Sequence, residues 1–85
     1  MLKIKDNVDL KKLEKLNYDD FNEQYDYEYS IQITISIDKY LRTLITYFYD
    51  VGEMVELNCE RDTTIEDLIE YAPFLMSLVE KVEDK

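Results

Sequence analysis

A stretch of strict alternation decides the fold: Tyr25-Asp-Tyr-Glu-Tyr-Ser-Ile-Gln-Ile-Thr-Ile-Ser-Ile-Asp38. Tyrosine or isoleucine occupies every odd position, and an acidic or polar residue occupies every even one. Because side chains alternate between the two faces of a strand, this period of two predicts one long strand over residues 25–37. One face is apolar and the other polar, which is typical of an antiparallel sheet covered on one side. We expect Asp26, Glu28 and Asp38 on the open face.

Two further strands are expected after this segment. Residues 40–50 fit either a strand or an amphipathic helix, and the strand is favoured because Thr, Ile, Tyr and Phe are frequent there. A tight reversal near Asp38 would join the two strands as a hairpin, and Gly52 would turn the chain again. Residues 55–60 alternate as a third, shorter strand, which would bury Cys59 as a small hydrophobic residue.

Helices are expected at both ends of the chain. Residues 8–16 carry apolar side chains at a spacing near three, which predicts a short helix. Thr63 and Glu66 fit a capping box at the start of a second helix, and Pro73 breaks that helix. The predicted fold is a single α+β domain over residues 1–85. It has an N-terminal helix, a three-stranded antiparallel meander and a C-terminal helix broken at Pro73.

Charge is the strongest compositional signal. The 85 residues include ten basic and twenty acidic ones, for a net charge of −10 at pH 7. Five lysines lie within residues 1–16, whereas seventeen of the acidic residues follow that segment. A body this acidic repels nucleic acid and anionic membranes and attracts basic proteins. We therefore expect no direct nucleic-acid partner and no membrane partner. A single cysteine and the lack of a signal-like start favour the cytoplasm.

The residue types that catalysis and metal binding usually need are scarce. The chain has no histidine, one cysteine and one glycine. This composition disfavours the commonest general base, structural zinc sites and glycine-rich phosphate-binding loops. The acidic loop over residues 19–28 lacks the glycine and the spacing of a calcium-binding loop. We expect no enzyme activity, no catalytic residue, no metal and no cofactor.

Regularly spaced carboxylates can imitate the phosphates of nucleic acid. Alternate residues of a strand lie roughly 6.6–6.8 Å apart, and residues four apart on a helix lie about 6 Å apart. The lysines and arginines of a DNA-binding protein release counterions on such a surface much as they do on a duplex. The hypothesis from the residues is an acidic face that binds a basic protein. Its candidate residues are Asp19, Asp20, Glu23, Asp26 and Glu28, then Glu53, Glu56, Glu60 and Asp62, and then Glu66, Asp67 and Glu70.

The two ends of the chain resemble small hypothetical proteins encoded by phages and prophages of Gram-positive, AT-rich bacteria. The matching stretches are Leu2-Lys-Ile-Lys-Asp-Asn-Val-Asp-Leu-Lys-Lys-Leu-Glu-Lys-Leu-Asn-Tyr18 and Leu78-Val-Glu-Lys-Val82. By size, charge and predicted element order, the chain also resembles a small acidic anti-CRISPR protein that imitates the PAM duplex of a Cas9. These resemblances imply an inhibitor or accessory protein whose partner is a basic host protein, such as a nuclease or a CRISPR effector. The alternative is a homo-oligomer, such as a homodimer, that pairs through sheet edges or an aromatic patch.

Overall fold

The computed structural model describes residues 1–52 and 54–82 and is mostly β. Five strands form one antiparallel sheet, and two short strands form another. The strands are β1 (Leu2–Ile4), β2 (Asn17–Asp19), β3 (Gln24–Glu28), β4 (Ile33–Asp38), β5 (Leu44–Val51), β6 (Val55–Asp62) and β7 (Val79–Lys81). The α-helix α1 covers Ile65–Tyr71, and 3-10 helices cover Leu10–Lys12 and Pro73–Leu78. The predicted α+β fold, in which an N-terminal helix precedes and a broken C-terminal helix follows a three-stranded sheet, is therefore wrong.

The strand predicted over residues 25–37 is in fact two strands, β3 and β4. The chain reverses between them, where the N–H of Tyr29 donates to the carbonyl of Ile33 at 3.0 Å. Tyr27 lies opposite Ile35 in the ladder, so odd residues pair with odd residues. The alternation of faces therefore continues through the turn, and a pattern of period two carries no sign of the reversal. Tyr29, predicted to face the core, is exposed at this turn.

The sheet gains its fifth strand from the segment before β3. Residues 17–24 are polar and predict a connection, but Asn17–Asp19 pair with Gln24–Asp26 as an antiparallel hairpin. The side chain of Asp19 accepts the N–H groups of Phe21 and Asn22 at 3.0 and 3.1 Å and so stabilises the turn. The five strands β2 to β6 lie side by side in chain order.

The helix predicted over residues 8–16 does not form. The segment folds into successive tight turns, in which the N–H of Leu13 donates to Leu10 and that of Leu16 donates to Leu13, at 3.2 and 3.0 Å. A bond between residues three apart is the bond of a 3-10 turn, and a 3-10 turn repeats every three residues. The spacing of three therefore indicates turns of this kind, since an α-helix would repeat every 3.6 residues.

The helix α1 begins one residue later than the predicted capping box. The hydroxyl of Thr64 accepts the N–H of Asp67 at 3.2 Å, and the Asp67 carboxylate accepts the N–H of Thr64 at 2.9 Å. Thr63, the predicted cap, is instead buried, and its hydroxyl lies 2.8 Å from that of Thr46. Pro73 interrupts the segment at the predicted place, but the residues that follow form a 3-10 helix.

The core lies between one face of the five-stranded sheet and a layer built from both ends of the chain. Its fully buried large side chains come from β1, β4, β5, α1 and the second 3-10 helix: Ile4, Ile35, Ile37, Leu44, Leu68 and Leu75. We call the sheet face toward this layer the covered face and the other the open face. No helix in residues 1–52 or 54–82 is long and apolar enough to cross a membrane.

Candidate functional site: the open face of the sheet

The register of the strands places four carboxylates at the corners of a rectangle on the open face. Asp26 and Asp62 lie in one row across the sheet, with one residue each of β4 and β5 between them, and Asn17 of β2 continues this row beyond Asp26. Glu28 and Glu60 stand at the ends of the next row on the same face. From ordinary strand dimensions, the acidic ends lie about 14 Å apart and the two rows about 7 Å apart. We call these four residues the carboxylate frame.

The five strands bring almost no basic side chains to the sheet. They contain no lysine and one arginine, Arg61. Arg61 lies on the covered side, where its guanidinium donates to both carboxylate oxygens of Asp67 at 2.5 and 2.7 Å. It also lies 5.1 Å from the ring centre of Phe48. Throughout the described part of the chain, no salt bridge involves the carboxylate frame. The negative charge of the open face is therefore left uncompensated.

Neutral neighbours hold Asp26 in place. One carboxylate oxygen accepts the hydroxyl of Ser36 at 2.6 Å and the side-chain amide of Gln24 at 2.8 Å. Asp19, nearby at the end of β2, accepts the side-chain and backbone N–H groups of Asn22, which lower the pKa of its carboxyl. Asp19 and Asp26 border a shallow cavity of about 340 Å³. This corner of the face therefore presents carboxylates in fixed positions.

Side chains of β5 fill the space between the acidic ends. Ile45 and Tyr47 lie within the two rows of the frame, and Tyr49 continues in the same direction. Burial raises the pKa of the Tyr47 phenol, and the negative charge of Glu60 raises it further. Tyr47 is therefore uncharged at neutral pH and keeps a hydroxyl that can donate a hydrogen bond.

Beyond Tyr49, β5 and β6 continue as a two-stranded projection, residues 50–52 and 54–57, that we call the arm. The side chains of Met54, Val55 and Leu57 are exposed by 70%, 50% and 52%. Asn58 has no partner in β5, so it forms a β-bulge. Because of this extra residue, Val55 and Leu57 face the same side as Glu60. The open side of the sheet therefore carries exposed apolar side chains on the arm next to the carboxylate frame. Protein interfaces likewise combine apolar and polar surface.

The structure brings together some of the predicted acidic residues and separates the others. On the open face lie the frame, Asp26, Glu28, Glu60 and Asp62, and the neighbouring Asp19. The rest lie elsewhere: Asp20 and Glu23 in the β2–β3 turn, Glu56 on the other side of the arm, Glu66 and Glu70 at exposed positions of α1, and Asp67 in the interior. Glu53 lies outside the described residues.

Asp67 does not belong to the acidic surface, because it is only 5% exposed. Burial acts to raise the pKa of its carboxyl, but hydrogen bonds from Arg61 and Thr64 outweigh that effect and keep the pKa below its ordinary value. Asp67 therefore joins α1 to β6 as a structural carboxylate, and it is not free to meet a partner.

Cys59 is exposed, which corrects the prediction of a buried residue. It faces the covered side, opposite Phe48. However, every residue of β6 is exposed, including Arg61, which contacts Asp67 of α1. Among residues 1–52 and 54–82, no group of three Cys, Asp or Glu side chains is placed to hold a metal ion.

The predicted site did not include the neutral residues of the open face. Gln24 and Ser36 orient Asp26, and Tyr47 separates Glu28 from Glu60. Ser36 could have been found from the alternation, since it shares the even positions of the polar face. Tyr47 could not, because the turn before β5 shifts the alternation by one residue, so that odd positions of β5 face the open side.

Comparison of the chain with protein-family models, with curated proteins and with solved structures gave no match. Its function has therefore to be inferred from its own residues.

Proposed function

We propose that this chain is a phage- or prophage-encoded inhibitor or accessory protein that binds a basic surface of a host protein. The binding surface is the open face of the five-stranded sheet. The observation that supports this proposal is the carboxylate frame, which lies on a face to which the strands contribute no lysine and no outward arginine. A negative surface of this kind accelerates association with a positive partner and disfavours nucleic acid and other acidic proteins.

The sharpest form of the proposal is a DNA mimic, such as an anti-CRISPR protein that acts on a nuclease or a CRISPR effector in the host cytoplasm. The two acidic edges of the frame are about 14 Å apart, on the scale of the major groove, which is about 12 Å wide. Lysines and arginines that contact phosphates on both sides of a groove would meet carboxylates at similar separations. Tyr47 and Ile45 would occupy the space between the edges.

The experiment is affinity capture from a host lysate at two salt concentrations, about 0.05 M and about 0.5 M. Captured proteins are identified, and the affinity of a purified candidate is then measured by titration. We expect a basic partner whose binding weakens steeply at the higher salt. For a DNA mimic, duplex DNA should also compete with the protein for that partner.

A matched pair of variants tests the face itself. Glu28→Gln/Glu60→Gln removes two charges from the frame, and Glu66→Gln/Glu70→Gln removes two from exposed positions of α1. The frame variant should lose affinity about tenfold at low salt, which corresponds to about 1.4 kcal/mol, whereas the helix variant should lose little. Equal losses in the two variants, or binding that does not respond to salt, would contradict the proposal.

The alternative function is a homo-oligomeric interaction module. Exposed apolar side chains on the arm favour it, with Met54 and Leu57 exposed by 70% and 52%. Light scattering over a concentration series separates the two functions. A stable dimer that is lost in Leu57→Ser would support the module, whereas a monomer at all concentrations would argue against it.

A further inference from the structure

The outer edge of β6 is the starting point for a more specific inference, which rests on the proposed function. β6 is the last strand of the five-stranded sheet, and its eight residues are all exposed. A strand in this position presents unpaired N–H and C=O groups to any chain that approaches it in an extended conformation. Such an edge can accept one more strand from a partner.

The ladder shows which groups of β6 point outward. The N–H of Thr63 donates to the carbonyl of Leu44 at 3.1 Å, so this opposed pair is hydrogen-bonded. In an antiparallel ladder, hydrogen-bonded residues alternate with residues whose groups point away. The backbone groups of Arg61 are therefore turned toward β5, and those of Glu60 and Asp62 are turned away from it. The carbonyl of Asp62 also accepts a hydrogen bond from the guanidinium of Arg61 at 3.2 Å, whereas no hydrogen bond within the described residues uses the outward N–H of Glu60 or Asp62. The two residues with outward backbone groups are also members of the carboxylate frame.

The charges along this edge select the kind of strand that fits. The carboxylates of Glu56, Glu60 and Asp62 are exposed, whereas the guanidinium of Arg61 is held on the covered side by Asp67. A second copy of β6 would bring like charges together, in molecules that each carry a net charge of −10. Like charges opposite one another in a sheet are destabilising, and opposite charges are stabilising. The edge therefore disfavours its own copy and favours a basic segment.

We propose that the basic partner contributes an extended segment that pairs with β6 as a sixth strand. Side chains of this segment that face the open side lie beside Glu60 and Asp62 and are lysine or arginine. Those that face the covered side lie beside Cys59 and Arg61 and are neutral. Farther along the edge, Val55 and Leu57 face the open side and favour an apolar neighbour. The segment recognised is one in which basic and neutral residues alternate.

The first probe is a fluorescent peptide in which lysine alternates with valine over about nine residues, the length of a long strand. Its affinity is measured by fluorescence anisotropy for the wild-type protein and for two variants of one position. Glu60→Gln removes the charge and keeps the outward N–H, whereas Glu60→Pro removes both. Proline is tolerated where the N–H of an edge strand points away from the sheet. We expect Glu60→Pro to bind at least tenfold more weakly than Glu60→Gln, and equal affinities would overturn the inference.

A second measurement decides the matter even if Glu60→Pro does not fold. Amide hydrogen exchange of the wild-type protein is followed with and without the peptide. Exchange at Glu60 and Asp62 should slow by about tenfold or more when the peptide pairs with the edge. Unchanged exchange at both amides would overturn the inference, and so would protection of the same amides by self-association without the peptide.

The outcomes separate this inference from the proposed function. Loss of the host partner in Glu28→Gln/Glu60→Gln, with equal affinity for that partner in Glu60→Gln and Glu60→Pro, would leave the acidic face in place and remove the sixth strand. Suppose instead that the peptide pairs with β6, but the affinity of the host partner is unchanged in Glu28→Gln/Glu60→Gln. That result would support pairing at the edge and contradict the acidic face as the binding surface.

Discussion

On the covered face of the sheet, Asp67 meets the guanidinium of Arg61 and the N–H of Thr64, whereas on the open face Asp26 meets the neutral Ser36 and Gln24. Both carboxylates accept hydrogen bonds, but only the charge of Asp67 is neutralised by a salt bridge. Charge on the covered face is therefore used to join β6 to α1, and charge on the open face is left for solvent or a partner. The sheet separates the residues that stabilise the fold from those that we propose for binding.

The largest expected effect is a difference in stability between substitutions at neighbouring residues of β4 that face opposite sides of the sheet. Ile35 is fully buried on the covered face, and Thr34 lies next to it on the open face. Ile35→Ala should lower the free energy of unfolding by about 3 kcal/mol, because it removes apolar contacts and leaves a cavity. Thr34→Ala should lower it by about 1 kcal/mol at most. Urea unfolding measures both, and similar losses would contradict the assignment of the faces.

The next effect concerns the two carboxylates. Asp67→Ala should cost about 2 kcal/mol, since it removes a helix cap and a hydrogen-bonded ion pair. Asp26→Asn should change stability by less than about 1 kcal/mol, because the amide oxygen still accepts a hydrogen bond and one repelling charge is gone. Thermal unfolding of the two variants beside the wild type checks this. A larger loss for Asp26→Asn would mean that the open face also holds the fold together.

The pH dependence of the Asp67 contribution sharpens this result. The pKa of Asp67 in the folded protein is lower than its ordinary value of 3.8. Its stabilising contribution is therefore fully present above that ordinary value, and it is lost as the pH falls through the lower, folded value. The difference in free energy of unfolding between wild type and Asp67→Ala should be constant near neutral pH and should shrink in strong acid. A gap that closes near neutral pH would contradict the assigned pKa direction.

The smallest effect is the response of stability to salt. Repulsion among the carboxylates of the frame should destabilise the folded protein slightly, and salt screens it. Raising the salt from about 0.05 M to about 0.5 M should stabilise the wild type by about 0.5 kcal/mol. The gain should be smaller in Glu28→Gln/Glu60→Gln than in Glu66→Gln/Glu70→Gln. Identical gains would indicate that the charge of the open face is no more concentrated than that of α1.

Turns explain which parts of the fold were predictable from the sequence. Three residues separate the paired Tyr29 and Ile33, so the alternation continues from β3 to β4 and the two strands read as one. Four residues separate Asp38 from Thr43, and there the alternation shifts by one residue. The reversal at Asp38 could therefore be predicted, whereas the reversal at Tyr29 could not. Neither turn contains a glycine or proline to mark it, so only the shift in alternation distinguishes them.

The candidate site was predictable only within single strands. The alternation placed Asp26 and Glu28 on the open face because both belong to one segment with one pattern. Glu28 and Glu60 share one row only because of the register across the four strands β3 to β6. That register is fixed by turn lengths and by the bulge at Asn58. Asp67 was misplaced because the sequence allows two capping boxes, one that starts at Thr63 and one that starts at Thr64. Burial of Thr63 leaves Thr64 as the cap, and Asp67 becomes its partner.

The bulge at Asn58 has a consequence for the shape of the molecule. Asn58 has no partner in β5, so its deletion would leave Cys59 opposite Phe48 and Leu57 opposite Tyr49. Each side chain of the arm would keep its side, its neighbours and its charge. What would change is curvature, because an extra residue on one strand bends a hairpin and increases its twist. Deletion of Asn58 would thus straighten the arm without altering its composition, so the curvature of this protein can be varied independently of its surface chemistry.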